Sequence, residues 1–545
     1  MTARVAGATA TARPSHPVRI AALDLGSNSF HMIVVEARPD GSFIPLVRER
    51  EMLRLGDLVA RDRVIGRRAA DEAIAVIARF RSIAEANGAD EIIALGTSAI
   101  REALDGNLLV DRVRVETGVK ITVVDGTREA ELIFRAIRSS VVIDPGPALA
   151  ADLGGGSLEL TVGDRAELAF ATSVHLGVGR LTTELVANDP PSDKDLKRLR
   201  ARIAGTIEPV LGEILALRPR QLIGSSGTFV ALARMAAAGR DGIVHEAVNQ
   251  LTVGRAELEV LRDRLYSLPA AQRGKLPGAE PRRTDHLPAG MAVLEYLMDA
   301  TRLAELTVSD WALREGIVLD AIATRDRVEL LGDSQALRRW SVLALCRRSN
   351  WRQPHSRQVA ALALGLFDAT AGLHRMGPAE RDLLEFGALL HDIGGHISRQ
   401  NHDRHSAYLI ENGGLRGFSP QEVRILTTMG RYHVKGTPRA TFEPFAQLGK
   451  RDRSRAVALT SILRIAEGLD SSHRGLVQAI RAEPPGDAGR LSFVLTARAE
   501  PELELWTVRR KQALLERTFG VECVFRAEVT GRPGPDAGPL GAGLG

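Results

Sequence analysis

The stretch that most restricts what this chain can become is residues 148–160, ALAADLGGGSLEL. A short apolar run broken at once by glycine reads as a buried strand, with Asp152 at its end, turning hard into Gly154, Gly155 and Gly156. Glycines let backbone N–H groups close on an anion without Cβ obstruction, and the anion expected here is a phosphate. Asp152 and Glu159 flank the turn with the hard oxygen ligands that a Mg²⁺ bridging to phosphate needs. The same letters also describe a plain glycine turn in a β-hairpin, its acids merely solvated. Residues 20–31, IAALDLGSNSFH, repeat the pattern: apolar strand, Asp24-Leu25-Gly26, then the small polar turn Ser27, Asn28, Ser29. That is one supersecondary unit used twice. A third glycine turn, LIGSSGT at 222–228, follows another apolar run. Two such loops facing each other across a cleft, with a third behind, hold a phosphate chain from both sides.

A chain of 545 residues is too long for one core, and domains of ordinary size make about three or four. Hydrophobic residues at 44% and charged ones at 26% are ordinary globular values. The two cysteines, Cys346 and Cys523, argue against a disulfide framework or a thiolate zinc site and fit a reducing cytoplasm. Residues 1–18 lack the apolar run of a signal peptide and read as a disordered tail. No run approaches the length of a membrane span. A net charge of +5 points to an anionic partner, and aromatics at 4% argue against stacking on bases. A bare polyanion recognised by charge is therefore expected, and nucleic acid is not.

Taken in order, 19–145 reads as a first α/β domain. Residues 69–87 are helical in period, and 92–95 is a strand turning through Gly96-Thr97-Ser98 into a helix that carries Arg101. Arg101 is placed to meet phosphate oxygens; a surface ion pair with Glu102 is the plainer reading. Asp125 caps a helix over 128–138 with Glu129 in its first turn, beside the buried face. Desolvated at a phosphate cleft, Glu129 suits a general base; equally, first-turn glutamates are favoured by the helix dipole alone. The 144–147 Asp-Pro-Gly-Pro run is a hinge, and 146–323 repeats the α/β pattern.

Over 324–481 long helices take over, carrying His355, the adjacent His391-Asp392, then His396, His402, His405, His433 and Asp470. A His-Asp pair in an apolar helix, with a histidine before it and an aspartate after it, resembles the ligand pattern of HD metal-dependent phosphohydrolases. His355, His391, Asp392 and Asp470 are the candidate ligands, suited to Mn, Fe or Mg. A helical domain that kept the pair for packing fits the same letters. A proline/glycine linker spans 481–489, residues 482–530 read as a small α+β unit, and 531–545 is low-complexity and reads as disordered.

Asp24 to Ser29, Gly96 to Arg101, Asp125-Gly126 with Glu129-Ala130, Asp152 to Ser157 with Glu159, and Leu313-Arg314-Glu315-Gly316 together resemble the exopolyphosphatase and guanosine pentaphosphate phosphohydrolase family. The resemblance implies an α/β fold of two ribonuclease-H-like domains, of the actin and sugar-kinase superfamily, followed by an all-α HD-like domain and a small α+β unit. It implies Glu129 as catalytic base, and Asp152 and Glu159 as acids serving Mg²⁺ and the attacking water. It places phosphate on Gly26, Ser27, Asn28, Ser29, Arg101, Gly154, Gly155, Gly156 and Ser157. Two departures stand out: Asp105 where asparagine is usual, and Ser225-Ser226 in a turn usually richer in glycine. The expected activity is Mg²⁺-dependent release of the terminal phosphate of inorganic polyphosphate by a cytoplasmic homodimer. Hydrolysis of guanosine pentaphosphate (pppGpp), an ATP-using actin- or sugar-kinase-like activity, and a non-catalytic sensor are the competing readings.

Overall fold

In a computed structural model, residues 17–38, 41–326, 334–483 and 490–530 are described. Residues 1–16 and 531–545 of the expected tails, and 484–489 of the expected linker, lie outside them. The chain divides into two compact units, Met1–Leu337 and Arg338–Gly545. Among the described residues no helix is long and apolar enough to cross a membrane.

The first unit contains two mixed sheets built on one plan. In the first, β1 (Arg19–Leu25), β2 (Ser29–Ala37), β3 (Phe43–Met52), β4 (Glu91–Gly96) and β5 (Ile121–Val123) lie in the order β3-β2-β1-β4-β5. In the second, β6 (Ala148–Leu153), β7 (Leu158–Gly163), β8 (Leu168–Val174), β9 (Gln221–Ser225), β10 (Thr252–Gly254) and β11 (Glu305–Val308) lie in the order β8-β7-β6-β9-β11-β10. Leaving out β10 at the edge, both sheets read third, second, first, fourth, fifth, with the first two pairings antiparallel and the others parallel. The duplication read from Asp24 and Asp152 therefore extends to whole sheets. The basic run at 48–56, which reads in the sequence as bringing positive charge toward the loops, begins on the edge strand β3, which ends at Met52.

The apolar runs that open both halves are continuous because each strand is covered on both faces. In β1, Ala21, Leu23 and Leu25 enter the core of the first half, while Ile20 and Ala22 enter a central core. In β6, Leu149, Ala151 and Leu153 enter the core of the second half, and Ala148 and Ala150 enter that same central core. Side-chain parity then sets the site, since Asp24 and Asp152 stand in step with the centrally facing residues.

Two helices fill the central layer, Gly126–Arg138 and Leu313–Asp326. Asp125 starts the first by accepting the Arg128 N–H at 2.8 Å, and Ile133, Phe134 and Ile137 form its apolar face. The helices cross backbone to backbone at Gly316, where a Cβ would stand 2.1 Å from the Leu132 carbonyl oxygen. That closeness holds Glu129, one turn before Leu132, at the end of the layer where the aspartates sit.

In the second unit β12 (Val477–Ala482), β13 (Arg490–Ala497) and β14 (Glu522–Val529) form a sheet. Val477, Phe493, Leu495 and Phe525 share one hydrophobic core with the helical residues Leu366, Leu384, Leu390 and Leu463. The sheet of the expected small unit over 482–530 thus shares its core with the helical region, and β12 begins before residue 482.

Candidate active site

Both glycine loops close hairpins, so the plain hairpin reading is correct as geometry and incomplete as chemistry. Asp152 stands opposite Glu159 across the β6–β7 ladder, and Asp24 stands opposite His31 across β1–β2. The duplication therefore sets His31 at the position of Glu159. The loops meet: a Cβ on Gly155 would lie 3.1 Å from the Cβ of Asn28, and one on Gly156 would lie 2.5 Å from Ser98 Oγ. None of the three loop glycines adopts a left-handed φ, so at Gly155 and Gly156 space is what favours glycine.

The helix Val178–Leu185 holds the second loop. Val178 N–H donates to Gly154 O at 2.9 Å, Gly179 N–H to Gly155 O at 3.0 Å and Gly177 N–H to Gly156 O at 3.1 Å. These bonds occupy the loop carbonyls. Among the described residues the N–H groups of Gly26, Ser27, Gly155 and Gly156 donate to no protein acceptor, which leaves them for an anion.

A cavity of about 340 Å³ is lined by both loops, by Asp24, Glu129, Asp152 and Glu159, and by Arg50, Arg234, Arg283 and Arg314. Burial pushes the Asp24 carboxyl up to about 8, with Glu129 adding to the rise. Glu129 is pushed up to about 7 by burial, against the pull of Arg101. Burial raises Asp152 to about 6, partly offset by the Ser225 hydroxyl, which donates to its Oδ2. Glu159 is held well above its usual range by burial and then by the charges of Glu129 and Asp152. Ser173 Oγ donates to it at 2.7 Å.

Converging buried carboxylates that resist ionisation are an all-oxygen donor set suited to a hard divalent cation. Mg²⁺ fits these residues. Each raised carboxyl favours the folded state while protonated and loses that contribution as pH rises through its folded value. His31, His391 and His433, all depressed mainly by burial, act oppositely below their ordinary 6.5. We therefore expect the melting temperature in EDTA to fall by several degrees between pH 7 and pH 9, and Mg²⁺ to reduce the fall. A melting temperature constant over that range would contradict the shared burial of these acids.

Arg101 pairs with Glu129. Its helix, Ser98–Glu102, is one turn long with Arg101 in that turn, and the guanidinium donates to Val124 O at 2.7 Å and to Glu129 Oε2 at 3.0 Å. Glu102, the alternative partner, is taken by Arg180 at 2.5 Å and Ser98 at 2.6 Å. Asp105 is not among the residues lining the cavity: it accepts the N–H groups of Ile65 and Gly66 at 2.8 and 2.9 Å, which tie down a turn. Ser226 has φ +73°, a conformation glycine would adopt without strain, and its Oγ donates to Leu153 O at 2.8 Å.

Sequence reasoning brought the run holding Arg50 toward the loops but missed Arg234 and Arg283 as parts of the same basic wall, and missed His31. Arg314 Nη1 donates to His31 Nδ1 at 3.2 Å, so the ring hydrogen sits on Nε2 and is given to Ser29 Oγ at 2.7 Å. The Ser29 hydroxyl is left to donate elsewhere. The quoted Arg-Glu motif at 314–315 was the available signal: Glu315, fully buried, lies 3.5 Å from Arg314 and from Arg48.

In the second unit the HD-like residues also converge. His355 lies 2.8 Å from Asp470, and the His391 ring stands 5.3 Å from that of His355 and 5.0 Å from that of His433. Asp392 lies 3.4 Å from His402. His473, absent from the sequence reading, lies with its ring centre 4.0 Å from that of His355, the rings tilted at 54°. His396 and His405 join neither potential metal-binding group.

Unpaired N–H groups, buried acids and arginines around one cavity are equipment for phosphate chemistry. Residues 33–325 match the Ppx/GppA phosphatase family, and 337–512 match Ppx/GppA phosphatase, domain III. Exopolyphosphatase 1 of Mycobacterium leprae (strain TN) is 35% identical over 303 residues, covering 55% of this chain and 89% of its own. A guanosine-5'-triphosphate,3'-diphosphate pyrophosphatase of Aeromonas hydrophila subsp. hydrophila is 27% identical over 451 residues, 82% of this chain and 86% of its own. The crystal structure of an exopolyphosphatase from Cytophaga hutchinsonii ATCC 33406 aligns with TM-score 0.53 and 30% identity, over 56% of this chain and 98% of that one. The chain belongs to the Ppx/GppA phosphatase family.

Proposed function

We propose that this phosphatase is a Mg²⁺-dependent exopolyphosphatase whose two hairpins belong to ribonuclease-H-like halves of the actin and sugar-kinase superfamily. The observation that carries the reading is the cavity itself, lined by acids from both halves and by four arginines. The terminal phosphate lies against the free N–H groups of the two loops and the hydroxyls of Ser27, Ser29 and Ser157. Arg50, Arg234, Arg283 and Arg314 hold the anionic chain behind it, with Glu280 spacing Arg283 and Arg234 at 2.9 and 3.7 Å.

Asp152 and Glu159, with Asp24, would hold Mg²⁺, which supplies charge neutralisation on the phosphate oxygens when bound. Glu129 takes a proton from water, the water oxygen bonds to the terminal phosphorus, and the bridging P–O bond breaks in line, leaving its electron pair on the shortened chain. The proton passes on to the released phosphates. Arg101 fixes the Glu129 carboxylate and keeps it below the protonation its burial alone would impose. In the second unit, His355, His391, Asp392 and Asp470 would hold a metal ion.

A second reading has its own support. The guanosine-named relative aligns through the second unit as well, and Val230 and Val248 give the cavity an apolar side beside Ser226 and Thr228 where a nucleoside fits. Phosphate release from long-chain polyphosphate and, separately, from guanosine pentaphosphate, with Mg²⁺ and the full chain, decides between them. Release mainly from polyphosphate supports the first reading. Release from the nucleotide alone replaces it with the second.

A further inference from the structure

The duplication equates two hydroxyls as well as two acids. Ser29 stands five residues after Asp24 and Ser157 five after Asp152, just as His31 and Glu159 each stand seven after. The two serines are nonetheless bonded in opposite senses. Ser157 gives its hydrogen to Glu159, to which Ser173 Oγ also donates at 2.7 Å. A carboxylate only accepts, so the second half consumes its hydroxyl hydrogens. In the first half the partner is a ring that can donate: His31 Nε2 lies 2.7 Å from Ser29 Oγ.

The direction of that bond is fixed on the far side of the ring. An arginine has hydrogens and no acceptor, so Arg314 Nη1, 3.2 Å from His31 Nδ1, needs a lone pair there. The single hydrogen of the neutral imidazole is then on Nε2 and points at Ser29 Oγ. Burial, then Arg314, Arg50 and Arg283, disfavour a second ring proton. Among the described residues Ser29 Oγ has no protein partner besides His31, and both side chains line the cavity. Ser29 is 6% exposed. A buried hydroxyl that already accepts, and has no protein acceptor of its own, directs its hydrogen into that cavity.

We infer that Arg314, His31 and Ser29 form a one-way hydrogen-bond relay whose end, the Ser29 hydroxyl, donates to the terminal phosphate, with His31 as a positioning residue that acts through Ser29. The inference rests on the proposed seat of that phosphate against the two loops. Its consequence is a division of labour between equivalent positions. The first half offers a hydroxyl hydrogen to phosphate oxygens, and the second keeps its hydroxyl hydrogens on the carboxylate offered to Mg²⁺.

The test uses the full chain with Mg²⁺ and long-chain polyphosphate. Ser29→Ala and His31→Leu should each lower kcat/KM by about 10- to 100-fold, the worth of one hydrogen bond to a charged oxygen. Because they remove the same contact, the double variant should fall no more than about threefold below Ser29→Ala. His31→Gln, whose amide both accepts and donates, should recover most of what His31→Leu loses. Losses that multiply in the double variant overturn the relay, as does a glutamine variant no better than the leucine one. Nitrogen NMR of histidine-labelled wild-type protein without substrate, with the His31 signals identified by their loss in His31→Gln, should show a bare Nδ1 and a protonated Nε2. The opposite tautomer, or a doubly protonated ring, overturns the relay whatever the substrate. A wild-type chain that releases phosphate from guanosine pentaphosphate alone overturns only the exopolyphosphatase reading, and the same variants then test the relay on that nucleotide.

Discussion

Glu129→Gln is expected to lower phosphate release by about 10²- to 10⁴-fold in kcat while leaving KM for the phosphate chain nearly unchanged. Glutamine has the same size, so the cavity keeps its walls, and its amide oxygen still accepts from Arg101. What it lacks is a site for the proton. Glu129 is 6% exposed and its carboxyl is pushed up to about 7, so near neutral pH it is both available as a base and strong enough to take a proton from water. Wild-type activity should therefore rise with pH through about 7, as Glu129 loses its proton. The residual activity of the variant should lack that limb. A loss of less than threefold would move the base elsewhere, to Asp24 or Glu159 in the same cavity or to His391 and Asp392 in the other unit.

Gly177→Ala should be nearly as damaging without touching any charge. Gly177 has φ −62°, which every residue adopts, so the backbone does not ask for glycine. A Cβ there, however, would stand 2.2 Å from the carbonyl oxygen of Gly155 and 2.2 Å from the nitrogen of Gly156. Both obstacles are main chain and cannot rotate away. The phosphate loop has to move by about an ångström, a displacement that costs on the order of 10²-fold in rate. The overpacking itself should destabilise the fold by about 1–3 kcal/mol. Gly205→Ala, in the helix Asp193–Ala216 with nothing within 4 Å of its Cβ, is the control. It should leave activity alone and stabilise by about 0.5–1 kcal/mol. Equal phosphate release by both variants would mean that the seating of the second loop on its helix is irrelevant to the chemistry.

What the sequence made legible was local. Asp24 and Asp152 could be placed because a strand, an acid and a glycine turn sit within a dozen residues, and parity along each strand sent both acids to one face. Glu129 could be placed because Asp125 announces its helix. The basic wall as a whole was not legible: Arg50 is on an edge strand, Arg283 in a one-turn 3₁₀ helix and Arg314 on a late helix, and only the fold brings them together. The partner of Arg101 was unreadable for the same reason, since Glu129 lies 28 residues away across β5. In the second unit the His-Asp pair was visible as a motif. The approach of His402 to Asp392 and of His433 to His391 depends on how the helices pack, which spacing along the chain does not encode.

The crossing at Gly316 has a consequence for how the protein is made. The helix Gly126–Arg138 exposes Ile133, Phe134 and Ile137 to a layer completed only by the helix Leu313–Asp326. Ribosomes add about 5–20 residues per second, so the first helix waits roughly 10–40 s for its cover. During that interval the burial that raises Asp24 and Glu129 is incomplete, so their side chains stay nearer ordinary acidity while the apolar face is open. The nascent first half is thus a sticky, catalytically mute intermediate, and the chemistry of the cavity switches on only when the last helix of the unit docks.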